Sequence, residues 1–148
     1  MKSRQAKRIR AMRERMEKVA GGRVAEAGKR IQIIDKQKSA LEDEMLELQA
    51  QTQAAPQASG EQLFIAASTL EKARQRVREL SAKRDDAAVH LLSVESELHD
   101  ARRATEMADR LCSKLRAADD ARREKLDREL SDDAGARISA QSKRGDTE

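Results

Sequence analysis

The side chains that most often carry enzyme chemistry are few in this chain. Two histidines, His90 and His99, stand nine residues apart, which does not place two metal ligands on neighbouring turns of a helix. The one cysteine, Cys112, excludes an internal disulfide and falls in an apolar repeat, where a packed, inert thiol is expected. No glycine-rich phosphate-binding loop is present. We therefore expect no catalytic residue, metal, cofactor or small-molecule substrate, and no enzymatic activity.

Positive charge is instead concentrated near the N-terminus. The chain has a net charge of +4, but residues 1–30 hold 11 Lys and Arg against 3 Asp and Glu. A basic helical segment of this kind can bind an acidic protein ring, nucleic acid or anionic lipid. We call the following candidate partner-binding residues the basic collar: Arg8, Arg10, Arg13, Arg15 and Lys18.

A seven-residue repeat in the second half of the chain predicts a long helix that can pair with the helix carrying the basic collar. Between Leu63 and Leu115, alternating steps of three and four residues meet an apolar residue at fourteen of sixteen positions, with Arg84 and Thr105 as exceptions. A repeat sustained this long predicts a helix that supercoils against another helix. Composition agrees, because 39% charged and 1% aromatic residues favour long helices over a compact core.

The first half supplies the second helix. The same spacing runs from Ala27 through Ile34 to Leu48. In an antiparallel pair, one register then satisfies both stripes, with Leu48 opposite Leu63, Ile34 opposite Val77, and Val24 opposite Ala87.

Further upstream we follow the apolar stripe through Ile9, Met12 and Met16. The steps there average near 3.67 residues per turn, a spacing that relaxes a left-handed supercoil. Gly21 and Gly22 fall in the same region, and each mid-helix glycine costs about 1 kcal/mol relative to alanine. We expect a weak, bent spot in helix 1, with a true break as the alternative.

Pro56, the one proline, marks the turn between the helices. Ser59 followed by Gln62 before an apolar run is a capping box that starts helix 2. The predicted fold class is all-α, two long helices in an antiparallel coiled-coil hairpin, with helix 2 longer and a disordered C-terminal tail. The predicted domains are a hairpin over 1–131 (helix 1 about 4–50, loop 51–58, helix 2 about 59–131) and a flexible tail over 132–148.

Four of the apolar residues outside the predicted seam are candidates for a partner contact. Phe64 and Ile65 follow the turn and occupy outward heptad positions. Ile33 and Leu46 occupy outward heptad positions on helix 1. Exposed apolar residues near the turn suggest a docking surface at the hairpin tip. The alternative is that Phe64 and Ile65 fold back onto the turn.

These features together resemble the FliJ family, the small coiled-coil proteins of the flagellar type III export apparatus. The order of elements is similar, and the most specific match is Phe64-Ile65 followed by Leu70-Glu71-Lys72-Ala73. The resemblance implies a protein similar to the central stalk of rotary ATPases. Its implied partners are a hexameric export ATPase, an export gate membrane protein and export chaperones. The stalk proteins of virulence secretion systems are equally similar in architecture.

The resemblance also assigns roles to segments. Its ring-facing part would be Arg8 to Val19 with helix 2 beyond about Ala101, and its gate-facing candidates would be Phe64, Leu70, Ala73 and Val77. The implied location is the cytoplasm, peripherally at the cytoplasmic face of the inner membrane export apparatus.

Two other functions compete with this interpretation. A generic structural or scaffold coiled coil needs only the heptads. A nucleic-acid-binding coiled coil would use the basic arm, but it lacks aromatic stacking groups and Glu14 and Glu17 dilute its charge. The N-terminus resembles an Arg-rich transit peptide weakly, but Glu14, Glu17 and the periodicity that continues downstream argue against one. It also has no apolar signal-peptide segment, so a reducing cytoplasm is expected.

Overall fold

The computed structural model describes Ser3 to Gly145, with side chains for residues 4–140. It contains two helices, α1 (Ser3–Ala54) and α2 (Gly60–Gly145), and no strand among these residues. The predicted all-α fold with a longer second helix is confirmed. The chain divides into two compact units. We call Met1–Arg15 together with Arg103–Glu148 the terminal unit, and Met16–Arg102 the turn unit.

The turn forms as its sequence predicts. Ala58 N–H donates to Ala55 O at 3.2 Å, which closes a tight turn with Pro56 at its second position. Ser59 N–H donates to Gln62 Oε1 at 3.0 Å and Gln62 N–H to Ser59 Oγ at 3.3 Å, so the capping box is confirmed in both directions.

The loop is shorter than predicted. Helix α1 continues to Ala54 rather than about Ala50. Pro56 disfavours helical conformation only at the residue before it, and the four residues from Gln51 to Ala54 are compatible with a helix. Thr52 Oγ1 also donates to Leu48 O at 2.8 Å within this last stretch.

In the turn unit the two helices run antiparallel. Three ion pairs join them, Asp35 to Arg84 at 2.8 Å, Arg23 to Glu97 at 3.2 Å and Glu17 to Arg102 at 3.7 Å. The position on α2 falls as the position on α1 rises, which is the antiparallel order. The core of this unit is a cluster of Ile34, Leu80 and Ala87, with Ile31 and Leu41 packed against it.

The predicted register is wrong by about one heptad. Ile34 packs with Leu80 and Ala87, whereas the predicted register places Val77 opposite it. A shift of seven residues keeps seam positions against seam positions, so the apolar stripe alone does not discriminate between the registers. The charges do, because the predicted register would place Ala88 opposite Arg23, where the structure places Glu97.

The predicted stripe at the start of α1 is also wrong. Met12 and Met16 are 51% and 50% exposed. Burial instead repeats every seven residues, with buried Ala6, Ala20 and Ala27 and half-buried Arg13 between them. The heptad is therefore unbroken, and the expected 11-residue spacing does not occur.

Gly21 and Gly22 lie inside continuous α1, so the helix is not broken there. Neither has a positive φ, and a Cβ added at either position would meet nothing within 4 Å. They occupy ordinary helical positions without a steric requirement for glycine.

Helix α2 extends beyond the predicted boundary at residue 131. It runs to Gly145, and every side chain from 120 to 140 is exposed. Most helical stability in proteins comes from the packing of one face against other elements, and this segment has no such packed face. The flexible tail over 132–148 stays a prediction, and its last three residues lie outside the described part of the chain. No helix of the described residues is long and apolar enough to cross a membrane.

Replacing Gly21 and Gly22 with alanine should stabilise the protein. Alanine removes the helix-propensity penalty of two glycines, up to about 2 kcal/mol in the free energy of unfolding. Thermal and urea denaturation followed by circular dichroism measures it. Gly60→Ala is the matched control, since Gly60 is the first helical residue of α2, and should change stability less. A loss of stability in the double variant would contradict the helical placement of the pair.

Spin labels test the register. With Cys112 replaced by Ser, one label at residue 35 is paired with a second at residue 84 or at residue 76. The structure predicts that the Asp35–Arg84 positions give the shorter distance, because residue 76 lies eight residues, about 12 Å, further along α2. The exposed ion pairs lost by labelling contribute little to stability. A shorter Asp35–Arg76 distance would restore the register first predicted from the sequence.

Candidate functional site

The terminal unit joins the start of α1 to α2 through small side chains. Ala6 is buried on α1, and Thr105, Ala108 and Cys112 are buried on α2. Such residues let two helix axes approach closely. Cys112 is thus a packed thiol on the seam, as its position in the repeat predicted.

Arg10 forms the polar centre of this unit. Its Nε donates to Glu14 Oε1 at 2.9 Å and lies 2.6 Å from Asp109 Oδ1. The Asp109 side chain is 45% exposed, but this one oxygen is buried and accepts no hydrogen bond within the described residues. Arg10 is therefore the cation beside this buried oxygen, while the rest of the Asp109 side chain is in contact with solvent.

The basic collar is divided between two surfaces, which corrects the predicted site. Arg8 and Arg15 are exposed, as is Lys18 at the start of the turn unit. Arg10 and Arg13 are half-buried at seam positions, so they are not freely available to a partner. Positions 27, 20 and 13 lie at successive steps of seven residues before Ile34, so the heptad repeat includes residue 13. The prediction instead assigned the apolar Ile9 and Met12 to the seam.

A groove that sequence reasoning missed lies between α1 and α2 in the terminal unit. Its volume is about 550 Å³. The apolar lining residues are Ile9, Ala104, Met107, Ala108 and Leu111, and the charged ones are Arg13, Arg110 and Lys114. The signal was present in the sequence, because Ala104, Met107 and Leu111 form a second stripe with steps of three and four beside the main seam.

The hairpin tip, the turn with the first turns of α2, presents apolar side chains outward. Phe64 is 75% exposed and Ile65 57%. The alternative in which both fold back onto the turn is therefore wrong. Leu63, predicted as the first seam residue, is 45% exposed, in keeping with a register that starts one heptad later.

Ile33 and Leu46 are exposed as predicted, but they do not extend the tip surface. Ile33 lies 21 residues before the end of α1, a helical distance of about 30 Å. Leu46 lies eight residues before that end, about 12 Å along the helix. Of the four residues assigned to the tip, only Phe64 and Ile65 belong to it.

The other residues assigned to a gate contact behave as seam residues. Leu70, Ala73 and Val77 are all half-buried against α1 at heptad positions. Their contribution to a partner interface would compete with their packing in the hairpin. His90 and His99 are both exposed on α2.

Comparisons with known proteins give no further assignment. The chain matches no protein-family model, no curated protein and no solved structure. The functional proposal therefore depends on the exposed residues of the basic collar, on the hairpin tip with Phe64 and Ile65, and on the motif resemblance.

A double-mutant cycle measures the Arg10–Asp109 pair. Arg10→Ala and Asp109→Ala should each destabilise the protein, and the double variant should lose less than the sum of the two. Because both side chains are more than a third exposed, solvent screening limits the coupling free energy to about 0.5 kcal/mol. Urea denaturation provides the four free energies. Strict additivity would show that the two charges do not interact.

Proposed function

We propose that the protein is a non-enzymatic coupling protein of a type III protein export apparatus, similar to the stalk that binds a hexameric export ATPase. The observation that carries the proposal is the exposed Phe64-Ile65 pair directly after a capped turn. It stands in the sequence context, ahead of Leu70-Glu71-Lys72-Ala73, that resembles the FliJ family.

The terminal unit supplies the surface for the ATPase. Arg8 and Arg15 are exposed cations on α1, suited to an acidic protein surface by long-range attraction. Arg10 and Arg13 act instead on the seam, where Arg10 is held by Glu14 and Asp109. We therefore take Arg8 and Arg15, the exposed collar residues of this unit, as the ATPase-facing candidates.

The tip supplies the surface for the export gate or a chaperone. A phenylalanine with three quarters of its surface in water contributes little to the stability of the hairpin. Burial of Phe64 and Ile65 by a partner would remove apolar area from water at about 25 cal/mol per Å². In this proposal the protein works in the cytoplasm, peripherally at the inner membrane export apparatus, without cofactor or small-molecule substrate.

A scaffold coiled coil is the second candidate function. It is favoured by apolar residues that remain exposed along α2, including Val89, Leu92, Leu126 and Leu130. Self-assembly would cover such residues, whereas a coupling protein leaves them in water or gives them to partners. Nucleic acid remains a disfavoured partner, since acidic residues are interspersed with the collar.

The two surfaces should fail differently in an export assay. Arg8→Glu with Arg15→Glu should abolish stimulation of purified export ATPase and leave helicity intact, because both residues lie off the seam. Phe64→Ser with Ile65→Ser should preserve stimulation but reduce secretion and swimming in a complemented deletion strain. Stimulation should also decline with salt, as the Debye length falls from about 10 Å at 0.1 M to about 3 Å at 1 M.

Matched controls separate these effects from net charge. Lys36→Glu with Lys72→Glu makes the same change in charge at exposed positions of the turn unit, and should leave stimulation unchanged. Full stimulation by the Arg8/Arg15 variant would remove the ATPase half of the proposal. Normal swimming of the Phe64/Ile65 variant would remove the tip contact.

A further inference from the structure

We infer that the groove of the terminal unit is a docking site for an amphipathic helix whose apolar stripe is flanked by acidic residues. The occupant is a segment of another protein, and the contact would make a local three-helix coiled coil. This inference goes beyond the proposed function and does not rest on the assignment to an export apparatus.

The floor of the groove has the spacing that helix packing requires. Ala104, Met107 and Leu111 follow one another by three and four residues on α2, and Ile9 faces them from α1. Met107 is 71% exposed and Leu111 40%. Side chains at this spacing form holes on the helix face. A further helix whose apolar side chains also recur at steps of three and four residues can pack into them. Met107 adds an adaptable contact surface.

A small residue makes room for such a helix. Ala104 lines the groove beside the larger side chains and is only half-buried, so a partner backbone can approach α2 closely. The open space beside these side chains has a volume of about 550 Å³. Space and apolar area therefore occur in the same place.

Charge identifies the class of occupant. All three charged residues that line the groove are cations, Arg13, Arg110 and Lys114. Arg110 and Lys114 form no ion pair within the described residues. Acidic residues beside the apolar stripe of a docked helix would lie close to the exposed Arg110 and Lys114, as oppositely charged flanking positions do in coiled coils.

A second copy of this chain fits the groove less well. Closed dimers are built on a two-fold axis that places the same patch on both sides of the contact. Such a contact would bring two sets of Arg13, Arg110 and Lys114 together, and like charges across an interface disfavour association. The cationic lining therefore favours a different, acidic chain.

The probe is a synthetic peptide of about four heptads, with Leu at the a and d positions and Glu at the flanking e and g positions. Its own acidic flanks repel one another, so it is poorly helical alone. We expect it to gain helicity on mixing with the full-length protein and to bind saturably in fluorescence anisotropy. The same peptide with Lys in place of Glu should bind at least about tenfold more weakly.

Variants locate the contact. Met107→Ser with Leu111→Ser should weaken binding of the Glu peptide by about tenfold or more. Val89→Ser with Leu92→Ser is the matched control, since both are exposed apolar residues of α2 in the turn unit, and should leave binding unchanged. Arg110→Glu with Lys114→Glu should reverse the preference toward the Lys peptide. Circular dichroism of each variant verifies that the hairpin is retained.

Four results would overturn the inference. They are equal binding of the Glu and Lys peptides, no binding of the Glu peptide, binding unaffected by the Met107/Leu111 variant, and sedimentation showing that the same variant abolishes self-association. The last result would assign the groove to a second copy. Because purified protein and peptide suffice, failure here leaves the ATPase and swimming experiments unaffected, and their failure leaves this result unaffected.

Discussion

The packing of α1 against α2 through an unbroken seven-residue repeat is the constraint on which the rest of the structure depends. Residues separated by seven on α1 return to the same face of a supercoiled helix, and the structure buries them in that order, from Ala6 through Ala20 and Ala27 to Ile34. The repeat continues where its residues are charged, so position on the helix decides burial before residue type does. Consequently, some cations at the start of α1 lie on the seam while neighbouring apolar residues lie in water.

This inversion gives the two units different chemistry. In the turn unit the seam holds aliphatic residues such as Ile34 and Leu80, which exclude water from a continuous core. In the terminal unit the seam holds small residues of α2 opposite Arg10, whose charge is matched by Glu14 and Asp109. A long side chain tolerates a seam position near a chain end because its charged head can reach solvent. Apolar side chains displaced from that seam are then available for a further helix.

Much of this fold was predictable from the sequence. The heptads of α2, the turn at Pro56 and the capping box at Ser59 rest on local rules, and each was confirmed. The exposure of Phe64 agrees with its outward heptad position, although the sequence also allowed the side chain to fold back onto the turn. These features need only the periodicity of one helix or the hydrogen bonding of one turn, and so a single sequence contains them.

The register and the start of α1 were not predicted correctly, for a common reason. A slip of one heptad leaves the apolar stripe matched, and only cross-helix ion pairs such as Arg23 with Glu97 distinguish the alternatives. At the start of α1 the heptad positions carry Arg10 and Arg13, while the apolar Ile9 and Met12 lie beside them. The prediction assigned the apolar residues to the seam, but the seven-residue spacing decides which side chains are buried. The docking groove was missed because it needs the second stripe of α2 and Ile9 of α1 in one place, which is a tertiary fact.

The most direct test of the central claim is a cysteine-reactivity scan along the start of α1 in a Cys112→Ser background. Single cysteines replace, in turn, residues on the two competing stripes: Ala6, Ile9, Met12, Arg13, Met16 and Ala20. The unbroken heptad predicts slow reaction with a water-soluble maleimide at positions 6, 13 and 20, and fast reaction at 9, 12 and 16. Slow reaction at 9, 12 and 16 with fast reaction at 6 and 13 would contradict it.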